Sequence, residues 1–485
     1  MTAVPARLSA CSAAGAPAWF VLAWLVPVLL VAVVSFAAPI LNDGDTFWHL
    51  AAGRWMLDHG AVPKTDPFSF TFVGRPWVAH EWLSEVLMAG AFRAAGWSGV
   101  MLLTGLAVGL TATLMARSLL RWLSLLSAVT TLTVGLACVG PSLLARPHIL
   151  ALPVLAFWTL ALLEARRRGE APSLWLLPLM TLWANLHSSF IVGIGLSAAF
   201  ALEAVLDYRR WRLRTLLSWP AFAFAATITA LVTPHGVEGL AFPFRVTAMK
   251  SLPTIGEWLQ PNFMRLEPSE VAFLAGLVAL FWRGVRLTAV RAAIVLLLVH
   301  LTFQHVRQEV LLGVIAPLIV AEALGAALDG RSQPRAPARL AAPQAALAGA
   351  LLAVVFVLRL AIAEVRTDGP TAPIAALAHV APELARQPVL NSYDFGGYLI
   401  FAGVRPYIDG RADMYGDDFI AAYNRTVGGD AVALDQAIAR YGIRWAILTP
   451  GQPVIGALET NRGWRRIYAD RYAVVDAAPA GQTGS

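Results

Sequence analysis

The sequence predicts an α-helical polytopic membrane protein of about 11–13 spans with a small α/β domain at its C-terminal end. Three observations carry this. Of the 485 residues, 58% are hydrophobic and only 14% charged, with a mean hydropathy of +0.64; an ordinary soluble domain carries about a quarter charged residues. Apolar runs long enough to cross a hydrocarbon core of ~30 Å recur along the first three quarters of the chain. Arginine clusters punctuate those runs, and both features stop near residue 364. A disordered chain, a disulfide scaffold and a simple cytosolic enzyme are excluded. Only two of the 37 basic residues are lysines, Lys64 and Lys250. The arginines lie between apolar runs, where they set topology, so the net charge of +7 does not imply a nucleic-acid partner. Cys11 and Cys138 are the only cysteines, and they imply neither a disulfide framework nor a cysteine metal site.

The first apolar run, residues 17–38, reads as a retained anchor. Ten more follow, near 99–116, 122–140, 148–163, 172–187, 189–206, 213–233, 269–283, 286–303, 307–328 and 343–363. Five basic groups alternate with them: Arg117/Arg121, Arg166/Arg167/Arg168, Arg209/Arg210/Arg212/Arg214, Arg283/Arg286/Arg291 and Arg331/Arg335/Arg339. With all five in the cytoplasm, every span alternates, the N-terminus is inside and the C-terminus outside. Residues 82–97 are apolar but short and carry Glu85 and Arg93, which reads as an interfacial or partly inserted helix.

This topology divides the chain into a transmembrane domain, 1–363, with large outer loops 39–98 and 234–268, and an extracytoplasmic domain, 364–485. The expected location is a bacterial cytoplasmic membrane, with the C-terminal domain in the periplasm. The outer joints gather polar residues: Arg146 and His148, the run Asn185-Leu186-His187-Ser188-Ser189, and His305 and Arg307. All nine histidines, His235 among them, fall on or near the outer side. That bias favours a polar cavity opening outward over scattered interfacial histidines. Arg146 and Arg307 at span ends would be costly in lipid and therefore face a cavity or the interface.

From residue 364 onward 11 arginines face 13 acids. Strand-like runs are Pro388–Asn391, Pro406–Asp409, Arg444–Thr449, Trp464–Ala469 and Tyr472–Asp476; helix-like runs are Asp417–Thr426, Ala433–Tyr441 and Val454–Thr460. The alternation predicts a small α/β domain.

The first outer loop opens with Asn42-Asp43-Gly44-Asp45-Thr46-Phe47-Trp48-His49-Leu50. Asp45 or Thr46 can cap a helix running to about His59. Trp48, Ala52 and Trp55 would share one face, suited to a helix lying at the membrane surface. Asp45 and His49, four apart, share another. The loop continues through Gly74-Arg75-Pro76-Trp77 to His80-Glu81-Trp82. As a whole it resembles the first periplasmic loop of GT-C glycosyltransferases, with the nearest echo in lipid A aminoarabinose transferases and protein O-mannosyltransferases. Their loops begin with an acidic residue that opens an interfacial helix just after the first span. On that match Asp45 takes the place of the catalytic carboxylate and Glu81 that of the later acid. Thr46 stands where the family has an adjacent acid, and Trp82 where it has a lysine. Further on, Asn391-Ser392-Tyr393-Asp394-Phe395-Gly396 is similar to the Trp-Trp-Asp-Tyr-Gly motif of oligosaccharyltransferases. Asp394 matches the acid, and the tryptophans are absent. The polar run Asp409-Gly410-Arg411 reads as a turn with internal ion pairing or as a substrate contact.

The resemblance implies an integral-membrane glycosyltransferase that moves a sugar from a polyprenyl-phosphate donor to an outer acceptor, which is a lipid, a glycan or a protein. Asp45 would be the base, with Asp43, Glu81 and His49 beside it. Arg146, His148, His187, His235, Arg307, Tyr393, Asp394, Asp409 and Arg411 would bind substrate. No cofactor is implied apart from the lipid-linked donor. A divalent metal is compatible with the family, with its ligands left open and His148 a candidate. Aromatics of Ile255–Phe263 suit a loop resting on headgroups, with Glu257 as an outlying candidate. The alternatives are a non-catalytic membrane component and a lipid or glycan transporter of an envelope polysaccharide system. Convergence of Asp45, Glu81, Arg307 and Asp394 on one outer cavity would discriminate against them.

Overall fold

The computed structural model describes residues 17–207, 213–336 and 341–479. Cys11, Arg209, Arg210, Arg212 and Arg339 lie outside the described residues. All eleven apolar runs form helices within the expected segments. Five helices are long and apolar enough to cross a membrane: Trp82–Trp122, Leu125–Ser142, Pro147–Arg168, Val306–Asp329 and Ala342–Ala361. Val21–Phe36, Leu174–Leu186, Phe190–Leu206, Leu217–Thr229 and Ala289–Gln304 are apolar but shorter. Their common core is built from large side chains such as Trp158, Trp183, Trp219 and Phe200, all fully buried.

The segment expected to be a separate short helix, residues 82–97, is instead continuous with the next span in one helix of 41 residues. A break at Ala95 and Gly96 turns the chain. Gly96 has φ +58, which a residue with a Cβ rarely adopts. The arm before the break is fastened to the joint at 185–187: Trp82 Nε1 donates to Asn185 Oδ1 at 2.6 Å and Ser84 Oγ to the Leu186 carbonyl at 2.8 Å.

The interfacial helix spans Gly44–His59. Its cap is Asp43, not Asp45 or Thr46. Asp43 Oδ2 accepts the Thr46 N–H at 3.0 Å, because an N-cap side chain reaches the amide three residues on. The helix stops at Gly60, φ +62. The face carrying Trp48 and Ala52 does not look at a membrane surface. It is buried against Trp77 and Ala79 of its own loop and Ile400 of the C-terminal part.

After the last apolar helix comes a four-stranded sheet in the order β1-β2-β4-β3. β1 is Val389–Asn391, β2 Trp445–Leu448, β3 Arg465–Ala469 and β4 Val474–Ala477. β1 and β2 are parallel, with Val389 opposite Trp445; β4 runs antiparallel to both β2 and β3. Helices Ala412–Val427 and Ala431–Tyr441 fill the crossover from β1 to β2, and Pro453–Arg462 leads into β3. Pro406–Asp409 is not a strand. The Asn391 side chain takes its backbone instead: Oδ1 accepts Tyr407 N–H and Nδ2 donates to the Ile408 carbonyl, each at 2.8 Å. The first outer loop takes more, as Thr71 Oγ1 donates to the Tyr407 carbonyl at 2.7 Å. A segment satisfied this way has no need of a ladder.

Candidate functional site

The loop 39–98, the joints at 140–147, 185–189 and 304–308, and the C-terminal unit meet at one end of the bundle. The chain places Asp43 there by folding the loop onto the joint before helix Pro147–Arg168. Ala145 N–H donates to the Ile40 carbonyl at 2.8 Å, and Thr46 Oγ1 donates to the Ala145 carbonyl at 3.1 Å. Arg146, next in sequence, then enters the carboxylates. Its Nε donates to Asp43 Oδ2 at 2.6 Å and a terminal nitrogen pairs with Asp43 Oδ1. The same nitrogen lies 3.0 Å from Asp45 Oδ2, and the other donates to Glu257 Oε2 at 2.5 Å. Glu257 also accepts from Arg307 at 2.8 Å, and Arg307 lies over the Trp258 ring at 4.4 Å. Glu257 therefore belongs to the same charged cluster as Asp43, Asp45 and the two arginines. The 304–307 joint holds it there: His305 Nδ1 is 2.7 Å from the Trp258 carbonyl, and Val306 N–H donates to the Leu259 carbonyl at 3.0 Å.

Asp45 Oδ1 accepts from Trp48 Nε1 at 3.0 Å, leaving its carboxylate 24% exposed. Burial pushes its carboxyl up to about 7; Arg146 opposes this, and the charges of Asp43 and Glu257 add to it. For Asp43 burial also acts upward, but the Arg146 guanidinium outweighs it and holds the group below its ordinary value. Arg146 lowers both carboxyls, but it outweighs burial only at Asp43, where it also hydrogen-bonds the carboxylate.

A second cluster adjoins the first. Glu81 Oε1 is 3.2 Å from His187 Nε2 and 3.5 Å from His80 Nε2, and Glu81 Oε2 is 3.8 Å from His49 Nε2. His49 Nδ1 meets Glu85 Oε1 at 3.0 Å. Burial works against the Glu81 charge, but His80, His187 and His49 together hold its carboxyl well below the usual range. Burial lowers His187 to about 3 despite Glu81. The two clusters approach through His148 and His187, with ring centroids 6.1 Å apart; His148 Nε2 is occupied by the Ser142 carbonyl at 2.8 Å. His49, Glu81 and Glu85 offer ligand atoms all within 4.8 Å of one another, and Glu85 Oε2 is buried without a hydrogen-bond partner. That donor set fits a divalent cation.

The C-terminal unit closes the site. A Cβ on Gly410 would fall 1.8 Å from Asp45 Oδ1, and one on Gly397 would fall 2.0 Å from the Gly44 carbonyl. The Asp394 carbonyl packs against Gly44. The Asp394 carboxyl is pushed up by burial and by Asp43, against Arg146. Tyr393 stands near Asp45; burial and then Asp45 drive its hydroxyl upward. Asp409 and Arg411 do not join the Arg146 cluster. Both are fully buried in an ion network: Arg411 pairs with Asp409 and, across the fold, with Asp66, each at 2.7 Å. Tyr415 donates to Asp409 at 2.7 Å. His235 lies at the margin, in the field of His80, with Nε2 buried and unpartnered. Glu85 and His80 were not among the residues expected here. The spacing of Glu81 and Glu85, four apart at a helix start, was the available signal.

No family model matches the sequence, and no curated protein matches it. Solved structures do. The Archaeoglobus fulgidus oligosaccharyltransferase in its apo form superposes with a TM-score of 0.54 at 12% identity, covering 89% of this chain and 70% of that one. ArnT from Cupriavidus metallidurans bound to undecaprenyl phosphate gives 0.51 at 15% identity, covering 97% and 100%. This chain has the GT-C fold. The A. fulgidus oligosaccharyltransferase AglB in complex with an inhibitory peptide and a dolichol-phosphate gives 0.52 at 10%, covering 96% and 75%. At these identities the likeness shows the GT-C architecture and leaves the chemistry to the site.

Proposed function

We propose that this protein is an integral-membrane glycosyltransferase that moves a sugar from a polyprenyl-phosphate donor to a hydroxyl-bearing acceptor, with Asp45 as general base. One arrangement carries the reading: a partly exposed carboxylate raised to about 7 stands 3.0 Å from an arginine that is linked through Glu257 to a second arginine. A base works best with its pKa near the working pH. A nearby guanidinium pair is what a phosphate leaving group requires.

The acceptor hydroxyl attacks the anomeric carbon as its proton passes to Asp45. The bond from that carbon to the phosphate oxygen breaks, and the electron pair leaves with the polyprenyl phosphate. One displacement inverts the anomeric centre. Arg146 is already committed to three carboxylates. Arg307 has one, is 31% exposed, and is the better placed to take the phosphate. Tyr393 and Asp394 form the wall over the acceptor side. Asp409 and Arg411 act by holding the C-terminal unit on the first loop. A divalent cation bound by His49, Glu81 and Glu85 would supply a Lewis acid at the cavity wall. Without one, His80 and His187 hold Glu81 beside His49.

The test is single-turnover transfer by purified protein, using the lipid extract of a deletion strain as the source of donor. Parental protein should transfer, and Asp45→Asn should be slower by ~10²–10⁴-fold, the loss expected for a general base. Near-parental transfer by Asp45→Asn would remove the assignment.

A further inference from the structure

A large cavity, about 940 Å³, lies at the opposite end of the bundle from Asp45. The same helices reach both places. Helix Pro147–Arg168 begins beside Arg146 and ends with Arg167 and Arg168 in the cavity wall, and helix Trp82–Trp122 begins beside Glu81 and ends with Arg121 there. At ~1.5 Å per residue the 22 residues of the first separate the two sites by roughly a bilayer core.

The cavity is amphiphilic. Its upper wall is apolar, with Leu114, Phe157, Leu160 and Leu318. Its rim carries six arginines and three glutamates, and the pairing leaves it short of anions. Arg121, Arg167 and Arg168 all share the single carboxylate of Glu164. Arg121 Nε is buried without a hydrogen-bond partner. Arg117 leans on the Trp24 ring at 5.0 Å; neither Arg117 nor Arg335 makes a direct ion pair among the described residues, and Asp329 supports the Arg335 charge only from a distance. Burial and then the neighbouring Arg331 press the Arg335 guanidinium below its ordinary value. At the mouth Trp175 is 91% exposed beside exposed Leu174, an arrangement suited to the headgroup level of a bilayer.

We propose that this cavity binds an anionic phospholipid of the facing leaflet, with the phosphodiester between Arg117, Arg121 and Arg335 and the acyl chains along the apolar wall. A basic pocket between membrane helices, walled with apolar side chains, recognises charge and tail together. A free phosphoryl compound would use the rim alone and leave the wall wet. The site is independent of the transfer chemistry and touches none of the residues of the Asp45 clusters.

The experiment is native mass spectrometry of the full chain released from nanodiscs of equal phosphatidylcholine and phosphatidylglycerol. The parent should retain phosphatidylglycerol preferentially. Arg117→Gln/Arg335→Gln should cut that retention about thirtyfold, as expected for two arginines beside an anionic headgroup, and Arg117→Lys/Arg335→Lys should keep most of it. Equal retention of the two lipids by the parent would overturn the proposal whether or not the variants fold. So would a parental ratio in the glutamine variant, or displacement of the lipid by glycerol phosphate or by polyprenyl phosphate at equal concentration.

Discussion

At Asp45, burial and two like charges outweigh one arginine and lift the carboxyl from 3.8 to about 7. A base must be ionised to act, so kcat/KM should rise with pH and reach half its plateau near pH 7. Removing the Asp43 charge takes away one of the upward influences, so Asp43→Asn should shift that midpoint below 7. The stability sign is opposite. The folded state binds the Asp45 proton more tightly than the unfolded one, so this group costs stability as pH rises from about 4 to 7. Asp45→Asn removes the cost and should melt no lower than the parent. Asp43→Asn should melt markedly lower, because it takes the charge from a buried pair with Arg146 and weakens a helix cap, a loss of about 3–5 kcal/mol for a broken buried pair. Thermal melts of the two purified variants check the contrast. Arg307→Lys keeps a charge but loses the planar fork. Donor binding, measured by titration with polyprenyl phosphate, should weaken by roughly 1–3 kcal/mol. Unchanged affinity in Arg307→Ala would move the phosphate to Arg146.

The element that organises the site is the interfacial helix Gly44–His59, covered on one side by Trp77 and Ala79 and at its start by the C-terminal unit. Close backbone approach makes that docking. Gly397→Ala forces its Cβ into the Gly44 carbonyl at 2.0 Å, where backbone must move. We expect loss of transfer and about 1–3 kcal/mol of stability. Gly456→Ala, in a helix of the same unit with open space around it, should be neutral or stabilising by a few tenths to about 1 kcal/mol. Transfer assays and melts of the pair separate docking from general damage. At this scale the sequence announced the helix and its length but not its cap or its covered face. Asp43, Asp45 and Thr46 all suit a cap, and only the fold of Ala145 onto Ile40 chooses among them. Pro406–Asp409 alternates like a strand, yet Asn391 and the first loop, through Thr71, take over its hydrogen bonds. That exchange is invisible in a pattern of apolar and polar residues.

Across the whole molecule, period and charge were enough to locate the eleven apolar helices, because a chain in lipid must satisfy its backbone within helices. They did not reveal that residues 82–97 continue into the next helix through Gly96. Arg146, His187 and Arg307 were legible as candidates since each sits at a joint between apolar runs, and Asp45 and Glu81 through the resemblance of their loop. Glu257, an outlying candidate in the sequence, is brought in by the 304–307 joint, and Glu85 came only with the packing, through His49. Asp409 and Arg411, so polar in sequence, are internal ties to Asp66. The arginine clusters predict orientation. Reporter fusions after Arg168 and Arg291 should read cytoplasmic, and fusions after residues 66 and 400 should read periplasmic. A cytoplasmic reading at 66 would put Asp45 on the wrong side of the membrane for the proposed donor and acceptor. The central claim, that the Asp45 cavity transfers a carrier-linked sugar, is tested most directly by profiling carrier-linked sugars and envelope glycans in the parent, a deletion strain and an Asp45→Asn strain. The account predicts that the deletion and Asp45→Asn strains accumulate the same carrier-linked sugar and lose the same glycan decoration. A parental profile in the Asp45→Asn strain, or in the deletion strain itself, would contradict it.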